Sequence, residues 1–218
     1  VIGGVVAAGA PLPTLRPVPI RPAIPNLGSI PEVHQLRAQN RAGSNSAVVS
    51  VGSANQDAEA FQEFVSTLLG RRTEEGGASV LLLTSALQRE GRTTIASNLA
   101  SATASTGKDV LIIDGDSSNP SLHEVFSIPN EFGFSDLLAM DDAAECESSV
   151  MGAVWLTETP GVYVLPAGSV ASRIPMLDRG SRAQTIVEQL RREFDLVLID
   201  SPPVLSGASA ARLARLAD

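Results

Sequence analysis

The chain has 218 residues, of which 44% are hydrophobic and 18% charged, with a formal net charge of −8. That length suits one domain with an appendage, and the apolar content suffices for a packed core. An acidic chain with a pI near 4.8 has no basic field for a polyanion, which excludes nucleic-acid binding as its main work.

The lone cysteine, Cys146, excludes an internal disulfide. Its neighbours Glu145 and Glu147 raise rather than lower a thiol pKa, so it reads as a bystander in a reducing compartment. His34 and His123 lie far apart and lack companion cysteines at ligand spacing, which excludes a zinc cluster.

Val1 to Ala10 are apolar and glycine-rich but too short to cross a bilayer, and without a basic leader among them they are not expected to be a signal peptide. They are expected to be a loose start or the stub of a membrane helix. Seven of the fourteen prolines fall between Pro11 and Pro31. Proline cannot continue a helix or a central strand, so this stretch and the Ser, Asn and Gly-rich residues after it predict a linker over residues 1–56. A domain over residues 57–218 follows. Ala58, Phe61, Phe64, Val65 and Leu68 recur at helical spacing, and Gly70 sits where that helix ends.

Val80 to Leu83 form a short apolar run, followed by a loop and a predicted helix from Thr93 to Ser105 closed by Gly107. Further apolar runs span Val110 to Ile113, Val162 to Leu165 and Leu196 to Ile199, the last preceded by a helix from Ser181 to Arg192. Wholly apolar strands alternating with helices predict a doubly wound, mostly parallel sheet in a three-layer α/β/α arrangement. Function in such sheets lies beyond the carboxyl ends of the strands. Ser85 to Arg92, Asp114 to Pro120 and Asp200 to Pro203 all lie there.

The loop before the second helix has the form of a phosphate cradle, in which backbone N–H groups and the helix dipole meet an anion. In the pattern G-x-x-x-x-G-K-[ST] the lysine bridges phosphates and the hydroxyl binds magnesium. This chain places Ala86 at the first glycine, then Glu90, Gly91, Arg92, Thr93 and Thr94. A guanidinium keeps the charge of the missing lysine but is broader and planar. Arg89 lies in the loop too, either over bound phosphates or in a surface ion pair.

Asp114, Asp116 and Asp200 end two of the buried strands. Each either caps the following turn or faces a crevice where magnesium and a phosphoryl acceptor need carboxylates. The coincidence of these two acidic ends with the cradle loop at a third strand end favours one nucleotide site. Phe132, Phe134, Leu137 and Leu138 read as core, Trp155 as a packing residue with partner contact as the alternative, and Arg71, Arg72, Arg191 and Arg192 as solvated helix ends.

Taken in order, these motifs resemble the cytoplasmic domain of bacterial tyrosine autokinases that act with polysaccharide co-polymerases. The likeness runs through Gly28-Ser29-Ile30-Pro31, Glu59-Ala60-Phe61, Thr84-Ser85, Glu90 to Thr94, Val110 to Asp116, Pro120 to His123, Gly133 to Leu138, Val164 to Gly168 and Phe194 to Pro203. The resemblance implies a P-loop NTPase-like fold, ATP and magnesium as cofactors, and transfer of the γ-phosphoryl to tyrosines of a neighbouring subunit. It implies Thr93, Asp114 and Asp200 around the metal, Asp114 and Asp116 with Arg92 in catalysis, and Glu90 to Thr94 around the nucleotide. It further implies a homo-oligomer at the cytoplasmic face of the bacterial inner membrane, docked to the polysaccharide export machinery and tethered by a segment preceding residue 1.

The sequence departs from that pattern at several places. Arg92 replaces lysine, Ser118 an arginine and Ser209 an aspartate, while Gln62 and Val65 stand where two arginines mediate subunit contact. Tyr163 is the only tyrosine. A terminal tyrosine cluster is therefore expected to be absent and the last core strands missing. Three functions are compatible with these departures: a tyrosine-autokinase-like domain of reduced activity, an inactive pseudokinase that docks to the export machinery, and a partition-type ATPase switch.

Overall fold

The computed structural model describes residues 61–66, 79–169 and 180–218. The predicted linker over residues 1–56, the helix end at Gly70 and the arginines at 71 and 72 lie outside these residues.

Five strands form one sheet: β1 Ser79–Leu83, β2 Val110–Asp114, β3 Trp155–Leu156, β4 Val162–Leu165 and β5 Leu196–Asp200, in spatial order β1-β5-β2-β4-β3. β1, β5, β2 and β4 are mutually parallel, and β3 joins the β4 edge antiparallel. The helices are α1 (residues 61–66), α2 Arg92–Ala104, α3 Leu122–Val125, α4 Phe134–Ala139, α5 Ala143–Ser149, α6 Gly180–Glu193 and α7 Ser209–Leu213.

Side chains alternate across each strand, so the apolar runs feed two cores. Leu111, Ile113, Val197 and Ile199 pack with α4, α5 and α6 on one face. Val110, Ile112, Leu196 and Leu198 pack with Phe61 and Val65 of α1 and with α2 on the other. The fold is thus the doubly wound, three-layer α/β/α sheet that the strand runs predict.

α2 is unusual in burying Ser97, Asn98, Ser101 and Thr103. Its small residues let the helix lie close on the sheet. The hydroxyls of Ser97, Ser101 and Thr103 donate to carbonyls four residues back at 2.8, 2.9 and 2.8 Å, so no polar group is stranded.

Two packing expectations are corrected. Phe132 is 38% exposed, outside the cluster that Phe134, Leu137 and Leu138 join, and Trp155 is 40% exposed. Trp155 sits on the two-residue strand at the sheet edge, which leaves it partly exposed among the described residues. Cys146 is buried, and burial, more than its acidic neighbours, pushes its thiol pKa up.

Candidate functional site

Strand register brings the acids together. Asp200 at the end of β5 pairs with Asp114 on one side and Leu83 on the other. The loop leaving β1 therefore runs beside both acidic strand ends. It is fastened there by the Val204 amide donating to the Ser85 carbonyl at 2.9 Å and the Ser201 amide to the Leu83 carbonyl at 3.1 Å.

Within the loop two residues adopt the left-handed region, Arg89 at φ 63° and Gly91 at φ 85°. Glycine takes that conformation freely; arginine does so at a cost of about 1 kcal/mol. Gly91 is the N-cap of α2, and no side chain caps this helix and no acid occupies its first turn. The amides of residues 92 to 94 are thus left to an external acceptor, at the positive end of a 13-residue helix.

A cavity of about 280 Å³ opens at this point, walled by the loop and α2 residues Arg89 and Gly91 to Thr94 and by Asp116, Asn119, Ser121 and Asp200. The Thr93 hydroxyl donates to Asp200 Oδ2 at 2.6 Å and lies 3.0 Å from the Ser121 hydroxyl. Asp200 Oδ1 is buried with no hydrogen-bond partner among the described residues. The Arg92 guanidinium, 11% exposed, donates to the Ser201 carbonyl and to Asp116 Oδ2, the latter at 3.4 Å. Asp116 Oδ1 accepts the Asn119 amide at 3.1 Å.

Glu90 and Asp114 stand apart from the cavity wall. Glu90 is exposed, and its carboxylate accepts the Leu87 amide at 3.1 Å, bracing the loop from outside. Asp114 is buried and accepts three amides: Asp116 at 3.2 Å, Ser121 at 3.0 Å and Leu122 at 3.1 Å. These contacts describe the capping role weighed as the alternative for a strand-ending aspartate, one layer beneath the cavity.

Residue type alone does not mark Ser121 and Asn119 as site residues. The signal for Ser121 was its place as a hydroxyl N-cap directly before the α3 helix. A second cavity of about 220 Å³ shares Asp116 and is walled by Ser117, Ser118, Ser206 and Ser209. Asp116 therefore stands between two openings.

Burial and mutual charge shape the electrostatics. Burial, reinforced by the Asp200 charge, raises the Asp114 pKa to about 7 against the pull of its three amides. Burial raises Asp200 to about 6, opposed by the Thr93 hydrogen bond and the Arg92 guanidinium. Both acids hold protons in the folded chain to a higher pH than in the unfolded one, so stability falls as pH rises from about 4 toward 7. Thermal melts across pH 5.5 to 8 are expected to show a falling Tm, with the fall reduced in Asp200→Asn; parallel profiles for the two proteins would contradict this electrostatic picture.

The donor set suits magnesium. Hard oxygens from Thr93 and Asp200, one of them a buried oxygen without a partner, meet a cavity with room for the waters and phosphates that this ion keeps. Among the described residues no group of three or more His, Cys, Asp or Glu side chains forms a closed protein cage.

Comparison with known proteins follows the same line. A family model described as an AAA domain matches residues 90–215. Tyrosine-protein kinase YwqD of Bacillus subtilis is 31% identical over 138 residues, covering 63% of this chain and 56% of that protein. The chain thus spans little more than half the length of that relative. The kinase domain of the Escherichia coli tyrosine kinase ETK superposes with a TM-score of 0.66 at 28% identity, covering 76% of this chain and 62% of that one. The septum site-determining protein MinD of Pyrococcus horikoshii, complexed with Mg-ADP, superposes with a TM-score of 0.53 at 25% identity, covering 64% and 55%.

Proposed function

The chain belongs to the AAA-domain family, and from that premise we propose that it is a cytoplasmic ATP-binding domain of the tyrosine-autokinase type, serving capsular or exopolysaccharide production. One observation carries the reading: the uncapped N-terminus of α2, the Thr93–Asp200 pair and Asp116 converge on one cavity at the carboxyl edge of the sheet. The names of the relatives supply the phosphoryl acceptor, tyrosine.

In this reading the backbone amides of residues 92 to 94 receive the phosphates, and Thr93 and Asp200 would hold the magnesium. The metal, when bound, neutralises charge on the phosphoryl oxygens. Asp116 is reached from the second cavity and takes the proton of an entering hydroxyl as its oxygen bonds to the γ-phosphorus; the bond to the bridging oxygen breaks and ADP leaves. Asp114 acts through Asp116, whose amide it fixes, and Arg92 acts on the Asp116 carboxylate.

In this reading the acceptor is a tyrosine outside these 218 residues. Tyr163, the single tyrosine, lies in β4 with its ring packed against Phe194 at 5.1 Å between centroids. Homo-oligomers at the cytoplasmic face of the inner membrane, in contact with the export machinery, are the setting this mechanism needs. No helix among the described residues is long and apolar enough to cross a membrane.

A second reading, a nucleotide-binding module that docks without transferring phosphate, is favoured by the commitment of the Arg92 guanidinium to Asp116 and Ser201. Incubation with Mg-ATP and a tyrosine-containing peptide separates the two. The autokinase-type reading expects phosphotyrosine from the wild type and its loss in Asp116→Asn. Bound ATP with no phosphotyrosine, in the wild type and in Arg92→Lys alike, establishes the second reading instead; ATP hydrolysis alone points to an ATPase switch.

A further inference from the structure

The loop carries two arginines, and the structure gives them different surroundings. Arg92 occupies the sequence position of the usual phosphate-bridging cation, yet its guanidinium is tied to the Ser201 carbonyl and the Asp116 carboxylate and is nearly covered. Arg89 is exposed on the wall of the same cavity and has no hydrogen-bond or ion-pair partner among the described residues. Among the described residues no surface ion pair accounts for this charged loop residue.

Arg89 also holds its left-handed backbone conformation against the preference of a long side chain. Strain of that kind collects where a backbone must serve a ligand. The conformation lets the chain turn immediately before Glu90 and Gly91, and Arg89 lines the cavity that a triphosphate would occupy.

We propose that the loop has exchanged its cations: Arg89, not Arg92, meets the terminal phosphates of the nucleotide. This rests on the nucleotide reading above and adds to it the identity of the phosphate-facing charge. A guanidinium free of partners can give two parallel N–H bonds to phosphate oxygens, whereas one already shared between a carbonyl and a carboxylate must surrender bonds to do so.

Calorimetric titration of the full chain with Mg-ATP, Mg-tripolyphosphate and AMP tests this, on the wild type, Arg89→Gln, Arg89→Lys and Arg92→Gln. Loss of a charge-assisted contact is expected to weaken ATP and tripolyphosphate by about tenfold or more in Arg89→Gln. AMP binding should be unchanged in that variant, and Arg89→Lys should recover most of the affinity. Arg92→Gln should cost less than Arg89→Gln. Arg89→Gln binding like the wild type while Arg92→Gln loses the polyphosphate overturns the exchange and leaves the nucleotide reading intact. A wild type that binds neither ATP nor tripolyphosphate overturns both. Arg89 is exposed, so its variants fold; a melting curve on Arg92→Gln separates lost contact from lost structure.

Discussion

Asp200→Asn is expected to weaken Mg-ATP binding while making the protein harder to melt at pH 8. Asp200 Oδ2 holds the Thr93 hydroxyl at 2.6 Å, and its Oδ1 is buried without a partner. Groups that orient a metal's ligands are worth about 10- to 100-fold in metal affinity, and that is the expected loss. Stability moves the other way because a buried carboxylate pushed up to about 6, facing a second acid across the β2–β5 register, opposes folding above that pH. An amide at 200 removes the repulsion and keeps an acceptor for Thr93. Calorimetry and thermal melts at pH 8 read both signs in one preparation. Affinity within threefold of the wild type, or a lower Tm, contradicts the role assigned to Asp200.

The largest loss of stability is expected from Gly168→Ala or Gly133→Ala. The end of β4 and the start of α4 are clasped together. The Phe134 and Ser135 amides donate to the carbonyls of Pro166 and Ala167 at 2.8 and 2.9 Å. Asp136 Oδ2 accepts the amides of Gly133 and Ser169 at 2.9 and 3.0 Å. Gly168 has φ 92°, and a Cβ there would overlap the Asp136 carboxylate; a Cβ on Gly133 would overlap the Pro166 carbonyl and lie 2.6 Å from the Gly168 amide nitrogen. Neither neighbour is the free end of a flexible chain. Overpacking against fixed backbone at Gly133, and against a hydrogen-bonded carboxylate at a strained φ at Gly168, places the cost at roughly 3 kcal/mol or more, which for a domain of this size is about 10 °C in Tm. A melting temperature within about 2 °C of the wild type would show that the clasp is not rigid.

The strands were the most legible part of the fold. Val110 to Ile113 and Leu196 to Ile199 are buried on both faces, so their apolar runs are unbroken and their type is unambiguous; the structure extends each by one residue, to the aspartate that ends it. α2 was found through its loop rather than its periodicity. It is buried nearly all round by small residues, and its Ser and Thr side chains bond backward to its own carbonyls, so no polar face marks it. The edge was least legible: Trp155 carries the composition of a core residue, and only the sheet order places it at a border.

At the site, residue types identified the acids but not their partners. The sequence places Asp114, Asp116 and Asp200 at strand ends, and chain direction alone puts those ends on one side. Which acid lines the cavity and which lies beneath depends on where the amides of Ser121 and Leu122 fall, and the turn after Asp116 decides that. Arg92 was visible as a departure from lysine. Its engagement with a backbone carbonyl across 109 residues of sequence separation has no local signature.

The central claim is that the loop before α2 and the acidic ends of β2 and β5 form one magnesium nucleotide site. The most direct measurement is amide chemical-shift mapping of the ¹⁵N-labelled chain during titration with a non-hydrolysable ATP analogue, with and without magnesium. The account predicts magnesium-dependent shifts concentrated at residues 89 to 94, with Asp116, Ser121 and Ser201 moving together at one saturating concentration. Unmoved amides in that loop, or shifts confined to the β3–β4 edge around Trp155, would contradict it.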